Sequence, residues 1–361
     1  MSKPLVIAYS DQYLDWKLGA GNGSHPTNPV RAQLATQKLV AKFKDQAIVI
    51  DPAPATTLDA DKAALALVHS EEHIHAVLNN FVSSEWHGAN PEVASAGFAM
   101  FRGTVRLVEN LMAGKIQVGF NPQGAKHHAK RDKASGFCVF NDMAYAALKL
   151  KEAGLRPLYL DWDIHAGDGT HHLLKDTDIP TLSIHNSAGY PNDSELQDPT
   201  KRGTRHTLHN KEQHSYNWNV VDGDGNDAFE WAMAEAAEVI DIYKPGVILL
   251  AAGADGHTGP NELGANNNYS YEGFRKAAQL VAELANNHSR GRVLIGGAGG
   301  YQPFDHTPEI WSIVVSEIYR LVEEADNASE ITQEERDQAR KLYGGNWFDY
   351  ELEMMKSLGH L

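Results

Sequence analysis

Short apolar runs alternate with amphipathic stretches along the whole chain. Strand candidates fall at residues 5–9, 47–50, 116–120, 157–162, 181–184, 216–221, 247–252 and 293–295. Several are unbroken apolar runs, the pattern of parallel strands covered on both faces. Between them lie helical patterns at residues 29–43, 70–81, 91–113, 141–153, 227–243, 271–285 and 308–324. In the stretch 227–243, Phe229, Met233, Ala236 and Ile240 share one helical face, and Pro245-Gly246 ends the helix. The alternation predicts a single domain over residues 1–361. It is a doubly wound α/β fold around a roughly eight-stranded, mainly parallel sheet flanked by helices. No Pro/Gly/Ser linker, repeat or low-complexity tract interrupts it. In such sheets ligands bind beyond the carboxyl ends of the strands, so the residues following the apolar runs are candidates for chemistry.

Composition narrows the classes. The chain has 361 residues, 42% hydrophobic and 22% charged, enough to bury a core without staples. A lone cysteine, Cys138, excludes an internal disulfide framework and any cysteine-rich zinc site. A metal would have to sit on His, Asp or Glu. No apolar run approaches the ~20 residues of a membrane span, and the opening Met-Ser-Lys-Pro-Leu-Val-Ile lacks a signal peptide's apolar stretch. A cytoplasmic protein is expected, with no membrane partner. Lys and Arg number 32 against 47 Asp and Glu, a net charge of −15. That argues against a nucleic-acid partner and favours approach of a cationic small molecule, although acidity also serves solubility alone.

Four loops carry candidate chemistry. The run 157–162 ends through Asp161, and Asp163, His165 and then Asp168 follow it. Residues two apart in an extended chain face one side, so a carboxylate and an imidazole stand together as plausible metal ligands. The same pattern also serves as a polar network capping a strand. After 247–252 comes Asp255, bracketed by Gly253 and Gly256, a candidate third ligand or an ordinary turn aspartate. After 116–120 come His127 and His128; one of them could take a proton from water beside a metal, with Asp161 and Asp168 orienting the rings. Alone, they would read as a surface pair. After 293–295, four glycines among residues 296–300 lead to Tyr301. The stretch fits neither a P-loop nor G-x-G-x-x-G. A tight turn presenting a phenol to a developing oxyanion is the better reading. Together these are the parts needed for metal-assisted hydrolysis of an acyl bond.

These motifs resemble the zinc-dependent histone deacetylase superfamily, which includes bacterial acetoin-utilisation proteins and acetylpolyamine amidohydrolases. The resemblance begins at His25-Pro-Thr-Asn-Pro29-Val-Arg31. It runs through Val68-His69-Ser70, His127-His128-Ala129-Lys130, Ala134-Ser-Gly136-Phe137-Cys138-Val-Phe-Asn141 and Asp161-Trp-Asp163-Ile-His165. It ends with Ala252-Gly253-Ala254-Asp255 and Gly299-Gly300-Tyr301. It implies the arginase/deacetylase α/β fold. It implies that Asp163, His165 and Asp255 bind Zn2+ or Fe2+, and that His128, paired with Asp168, is general base and then acid. His127, paired with Asp161, would be an electrostatic partner, and Tyr301 would polarise the acetyl carbonyl. Gly136, Phe137 and Tyr190 would line a narrow tunnel, with Arg31 below the metal near the product acetate. A structural potassium ion would use Asp161, the backbone carbonyls of Asp163 and His165, the Ser183 hydroxyl and Ile184.

Some positions depart from the family's pattern. Ala166 replaces a second histidine, Asp168 stands where many relatives carry Asn, and the rim aspartate has no clear match, Glu85 being the nearest candidate. Glu262, seven residues after Asp255, matches a glutamate spacing of the polyamine-selective members and would attract a distal ammonium; a solvated loop glutamate is the plain alternative. The expected activity is removal of acetyl groups from N-acetylated amines, acetylpolyamine or acetyl-lysine, by a chain that could form a homo-oligomer. An arginase-like dimetal ureohydrolase is disfavoured, because His257 rather than Asp lies two residues beyond Asp255. A catalytically inactive acyl-ligand binding module is disfavoured by the intact His128, Asp163, His165, Asp255 and Tyr301.

Overall fold

Runs such as Val-Ile-Leu-Leu-Ala cannot hide their side chains by covering one face alone, and they become the centre of the sheet. A computed structural model describes residues 3–18, 27–258 and 266–329. The strands are β1 (Leu5–Ala8), β2 (Ala47–Ile50), β3 (Val118–Asn121), β4 (Pro157–Asp161), β5 (Thr181–Asn186), β6 (His206–Asn210), β7 (Ser215–Val220), β8 (Val247–Ala251) and β9 (Val293–Gly296). The helices are α1 (Val30–Phe43), α2 (Leu58–Leu65), α3 (Glu71–Leu78), α4 (Pro91–Met112), α5 (Asp142–Glu152), α6 (Asp168–Leu174), α7 (Asn226–Tyr243), α8 (Tyr271–His288) and α9 (His306–Ser329). Lys3–Val322 form one compact unit; Glu323–Ser329, the end of α9, belong to a second.

The sheet has nine strands in the order β2-β1-β3-β9-β8-β4-β5-β7-β6, parallel except for the β6–β7 pair. Its two faces are both covered. Leu158, Leu160, Ile248 and Leu250 point into one layer with Ala236 and Ile240 of α7 and Val281 of α8. Tyr159, Val247 and Leu249 point into the other with Phe101 and Val105 of α4 and Ala147 of α5. Side chains of Asn90, Asn141 and Ser70 accept the backbone N–H groups of Val93, Ala144 and His73, and so cap α4, α5 and α3. Among the described residues no helix is long and apolar enough to cross a membrane.

The expected strand count of roughly eight was one short. Strand β6, His-Thr-Leu-His-Asn, is a polar, mostly exposed antiparallel edge strand, which an apolar-run criterion cannot see. Helices α2 and α6 were also not anticipated; α6 is seven residues long and starts within the run read only for chemistry. Helix α3 ends at Leu78, before the expected 81. For function, the order β3-β9-β8-β4 matters most. These four parallel neighbours end on one edge, and each delivers one of the four loops singled out above.

Candidate active site and metal centre

Asp161 closes β4 with its side chain buried, and the chain then leaves the sheet through Asp163 and His165. Backbone amides set both carboxylates. The N–H of His165 and of Gly299 donate to Asp163 at 2.9 and 2.6 Å, and the N–H of Ile164 donates to Asp255 at 3.1 Å. His165 Nδ1 lies 3.1 Å from Asp163 and 3.0 Å from Asp255. One ligand atom from each of Asp163, His165 and Asp255 can lie within 4.8 Å of the others, all three residues buried.

Position 299 must be glycine for this approach. A Cβ there would lie 2.5 Å from an Asp163 oxygen and closer still to an Asp255 oxygen. Two desolvated carboxylates this close demand a positive charge. Burial and the Asp163 charge push Asp255 up to about 6. Burial would lower the His165 imidazole, but the two carboxylates outweigh it and lift His165 to about 10. Two carboxylate oxygens and one imidazole nitrogen are the donor set of an open, catalytic-type divalent site, and the fit is good. Zinc and ferrous iron both suit these ligand types.

The loop after β3 brings two imidazoles together, His127 and His128, tilted 50° to one another with ring centres 4.0 Å apart. Their partners make them unlike. His127 Nδ1 is 2.8 Å from Asp161 Oδ2, which also accepts the Tyr159 hydroxyl at 2.6 Å. Burial opposes charge on His127, but Asp161 and Asp163 dominate and hold it at about 9. His128 Nδ1 is 2.7 Å from Asp168 Oδ1, and Lys130 Nζ lies 2.8 Å from the other Asp168 oxygen. Burial and the neighbouring His127 lower His128 to about 4 despite Asp168. His128 therefore stands neutral at pH 7 with Nδ1 oriented by a carboxylate, the state a general base requires.

A cavity of about 240 Å³ lies over this centre, lined by His128, Gly136, Phe137, His165, Tyr190 and Tyr301. Burial and the carboxylates of Asp255 and Asp163 keep the Tyr301 phenol protonated, a hydrogen-bond donor. Gly136 has a positive φ of 54°, and a Cβ there would lie 2.5 Å from the His128 ring. The Tyr190 ring stands edge-on to His128 at 5.0 Å, and its hydroxyl is 2.7 Å from Ser135 Oγ.

Arg31 is buried; its guanidinium donates to the Gly300 carbonyl at 2.5 Å and lines a smaller cavity beneath the centre. Glu85 accepts the Phe137 N–H at 2.7 Å, so it braces the wall of the upper cavity. Asp161 and Ser183 are register partners on β4 and β5, with Ile184 next along β5; the Ser183 hydroxyl lies 2.8 Å from His185 Nδ1. Glu262 lies outside the described residues. His257 stacks on His306 at 4.3 Å rather than joining the Asp163 cluster.

Sequence reasoning passed over three contributors: Tyr159 on Asp161, Lys130 on Asp168, and Lys126 in the lower cavity. For Tyr159 the alternation along β4 was the available signal, since it stands two residues before Asp161.

Residues 25–318 match the family profile described as the histone deacetylase domain. The chain is 28% identical over 334 residues to the acetoin utilization protein AcuC of Staphylococcus aureus (strain MSSA476), covering 87% of this chain and 81% of that one. It is 29% identical over 331 residues to AcuC of Bacillus subtilis (strain 168), covering 85% and 80%. It is 29% identical over 281 residues to histone deacetylase 8 of Xenopus tropicalis, covering 71% and 70%. The crystal structure of the HDA15 HD domain superposes with a TM-score of 0.71 at 21% identity, covering both chains fully, which speaks to the fold.

Proposed function

Because this chain belongs to the histone deacetylase family, we propose that it is a metal-dependent amidohydrolase that cleaves N-acetylated amines to acetate and free amine. The observation that carries the reading is His128, oriented by Asp168, beside the Asp163–His165–Asp255 cluster and a cavity lined by His128, His165 and Tyr301. Zinc or ferrous iron held by Asp163, His165 and Asp255 would supply Lewis acidity toward the amide carbonyl and the attacking water. Asp161 with Ser183 and Ile184 would belong to a structural potassium site near the end of β4.

The protein's own groups account for the proton inventory. His128 takes a proton from water as the new C–O bond forms, and Asp168 stabilises the resulting imidazolium. Tyr301 donates a hydrogen bond to the carbonyl oxygen as negative charge grows there. His128 then returns the proton to the departing nitrogen as the C–N bond breaks. His127, tied to Asp161, sets the local charge rather than shuttling protons. Gly136, Phe137 and Tyr190 hold the extended acyl-bearing chain, excluding water and branched substrates.

The amine partner is an acetylpolyamine or an acetyl-lysine side chain. The net charge of −15 favours approach of either cationic class, and Glu262 is assigned to the distal ammonium. The lone, buried Cys138 suits a reducing cytoplasm. An acetate-release screen of acetylpolyamines, acetyl-lysine peptides and small acyl amides with metal-loaded enzyme tests the proposal. Release from one class is expected; none from any would refute it. Glu262→Leu should reduce turnover of acetylspermidine-type substrates more than that of acetyl-lysine peptides, and equal losses would remove Glu262 from the substrate site.

A further inference from the structure

Helix α6 carries two adjacent histidines, His171 and His172, that the proposed reaction does not use. The loop after Tyr190 returns against this helix and sets a carboxylate opposite each ring. Glu195 Oε2 lies 3.3 Å from His171 Nε2, and Asp193 Oδ2 lies 2.7 Å from His172 Nε2. The two ring centres are 5.2 Å apart. One ligand atom from each of His171, His172 and Glu195 can lie within 4.8 Å of the others. Among the described residues one other group is arranged this way, Asp163–His165–Asp255, whose imidazole likewise faces carboxylates at 3.1 and 3.0 Å.

His171 is 3% exposed, and among the described residues its buried Nδ1 has no hydrogen-bond partner. Burial lowers this imidazole, so near neutral pH it holds one N–H and one lone pair. With the N–H toward Glu195, the lone pair at Nδ1 is left bare. With the N–H on Nδ1, that donor is left bare and the Nε2 lone pair faces a carboxylate oxygen. Neither tautomer satisfies both nitrogens within the chain, which points to a ligand that accepts a lone pair. The charges point the same way. Lys175 Nζ lies 2.9 Å from both Glu195 oxygens, but Asp193 has no Lys or Arg at ion-pair distance among the described residues. Two carboxylates against one ammonium leave a negative charge for a cation to offset. Imidazole nitrogen with carboxylate oxygen is a zinc-type donor set, unlike the oxygen shells of calcium and magnesium.

We propose that His171, His172 and Glu195 form a second divalent-metal site, selective for a zinc-type ion, with Asp193 orienting the His172 ring. It is weaker than the Asp163 centre, because Glu195 is exposed and Lys175 competes for it. It therefore fills when metal exceeds one equivalent. An ion there bridges α6, whose first residue Asp168 holds His128, to the loop behind Tyr190.

The test is calorimetric titration of Zn2+ into the full chain already carrying one equivalent of zinc. The native chain should take up one further equivalent. His172→Ala and Glu195→Gln should each weaken that step by about tenfold or more. Lys175→Met should tighten it about tenfold, because the competing ammonium is gone. All three replaced side chains are part-exposed, and thermal unfolding controls for folding. The further equivalent should also raise the unfolding temperature of the native chain and not that of His172→Ala. Asp255→Ala, with the first centre disabled, should keep the weaker site at native affinity. Absence of a further equivalent, or equal affinity in the native and His172→Ala chains, would overturn the proposal. Loss of the weaker site in Asp255→Ala would overturn it too, by placing both ions at the first centre. Titration with Mg2+ alone should show no binding at this site; equal binding of Mg2+ and Zn2+ would overturn the assignment to an imidazole-held ion.

Discussion

Asp163 and Asp255 can share one imidazole because position 299 has no side chain to keep them apart. Gly299→Ala should therefore weaken metal retention before it weakens the fold. Competition dialysis against a chelator checks this, and unchanged retention would contradict the steric argument. In the proposed reaction His128 and Tyr301 act on the reacting bond, and their replacement is a matter of rate. His128→Ala and Tyr301→Phe should each lose about 100-fold or more in turnover with the unfolding temperature little changed. Near-normal acetate release from either would remove it from its assigned role. Lys126 has the opposite logic to a paired cation. Burial lowers it to about 8 from an ordinary 10.5, opposed by Cys138 and Asp142 and aided by Arg31. Between about pH 8 and 10.5 only the unfolded chain still holds that proton, so this residue's contribution to stability rises with pH across that window. Below pH 8 the ammonium is charged in the folded state. Residue type and position showed only that Asp161 and Asp168 could orient the two imidazoles; the pairing of His127 with Asp161 and His128 with Asp168 came from the family resemblance, and the distances bear it out. The burial of Lys126 was not legible, because nothing local marks a lysine as buried.

Among the elements, the apolar strands were legible wherever both faces are covered, as in β4 and β8, where every position is buried. Strand β6 was hidden because an edge strand with one neighbour has little apolar surface to display. Helix α2 was hidden for another reason: its anchoring to α4 is ionic. Asp61, 1% exposed, receives Arg102 Nε at 2.6 Å and is paired with Arg106 as well. Removing the anion strips the buried Arg102 guanidinium of its carboxylate and leaves Arg106 with only the half-exposed Glu109. Asp61→Ala should cost about 3–5 kcal/mol of stability, read as a lower denaturation midpoint, with acetate release per folded molecule unchanged. A midpoint shift within error would show the pair to be dispensable.

Over the whole molecule, four adjacent strands, β3, β9, β8 and β4, end on one edge, and ligands separated by some ninety residues meet there. A divalent ion that binds this assembled cluster and not the unfolded chain stabilises the entire unit, by roughly 4 kcal/mol when its concentration is a thousandfold above Kd. Chelation should lower the unfolding temperature of the native enzyme and have little effect on Asp255→Ala; identical shifts would place the stabilising ion elsewhere. The sequence by itself determined the layered α/β class, the four chemistry-bearing loops and the residue types at the centre, because apolar period and strand-end position are local properties of the chain. Only the tertiary structure decided which carboxylate each imidazole meets, why residue 299 must be glycine, and that Lys126 and Arg31 reach the same Gln123 oxygen. Those depend on distances and burial between segments far apart in the chain, and no local pattern encodes them.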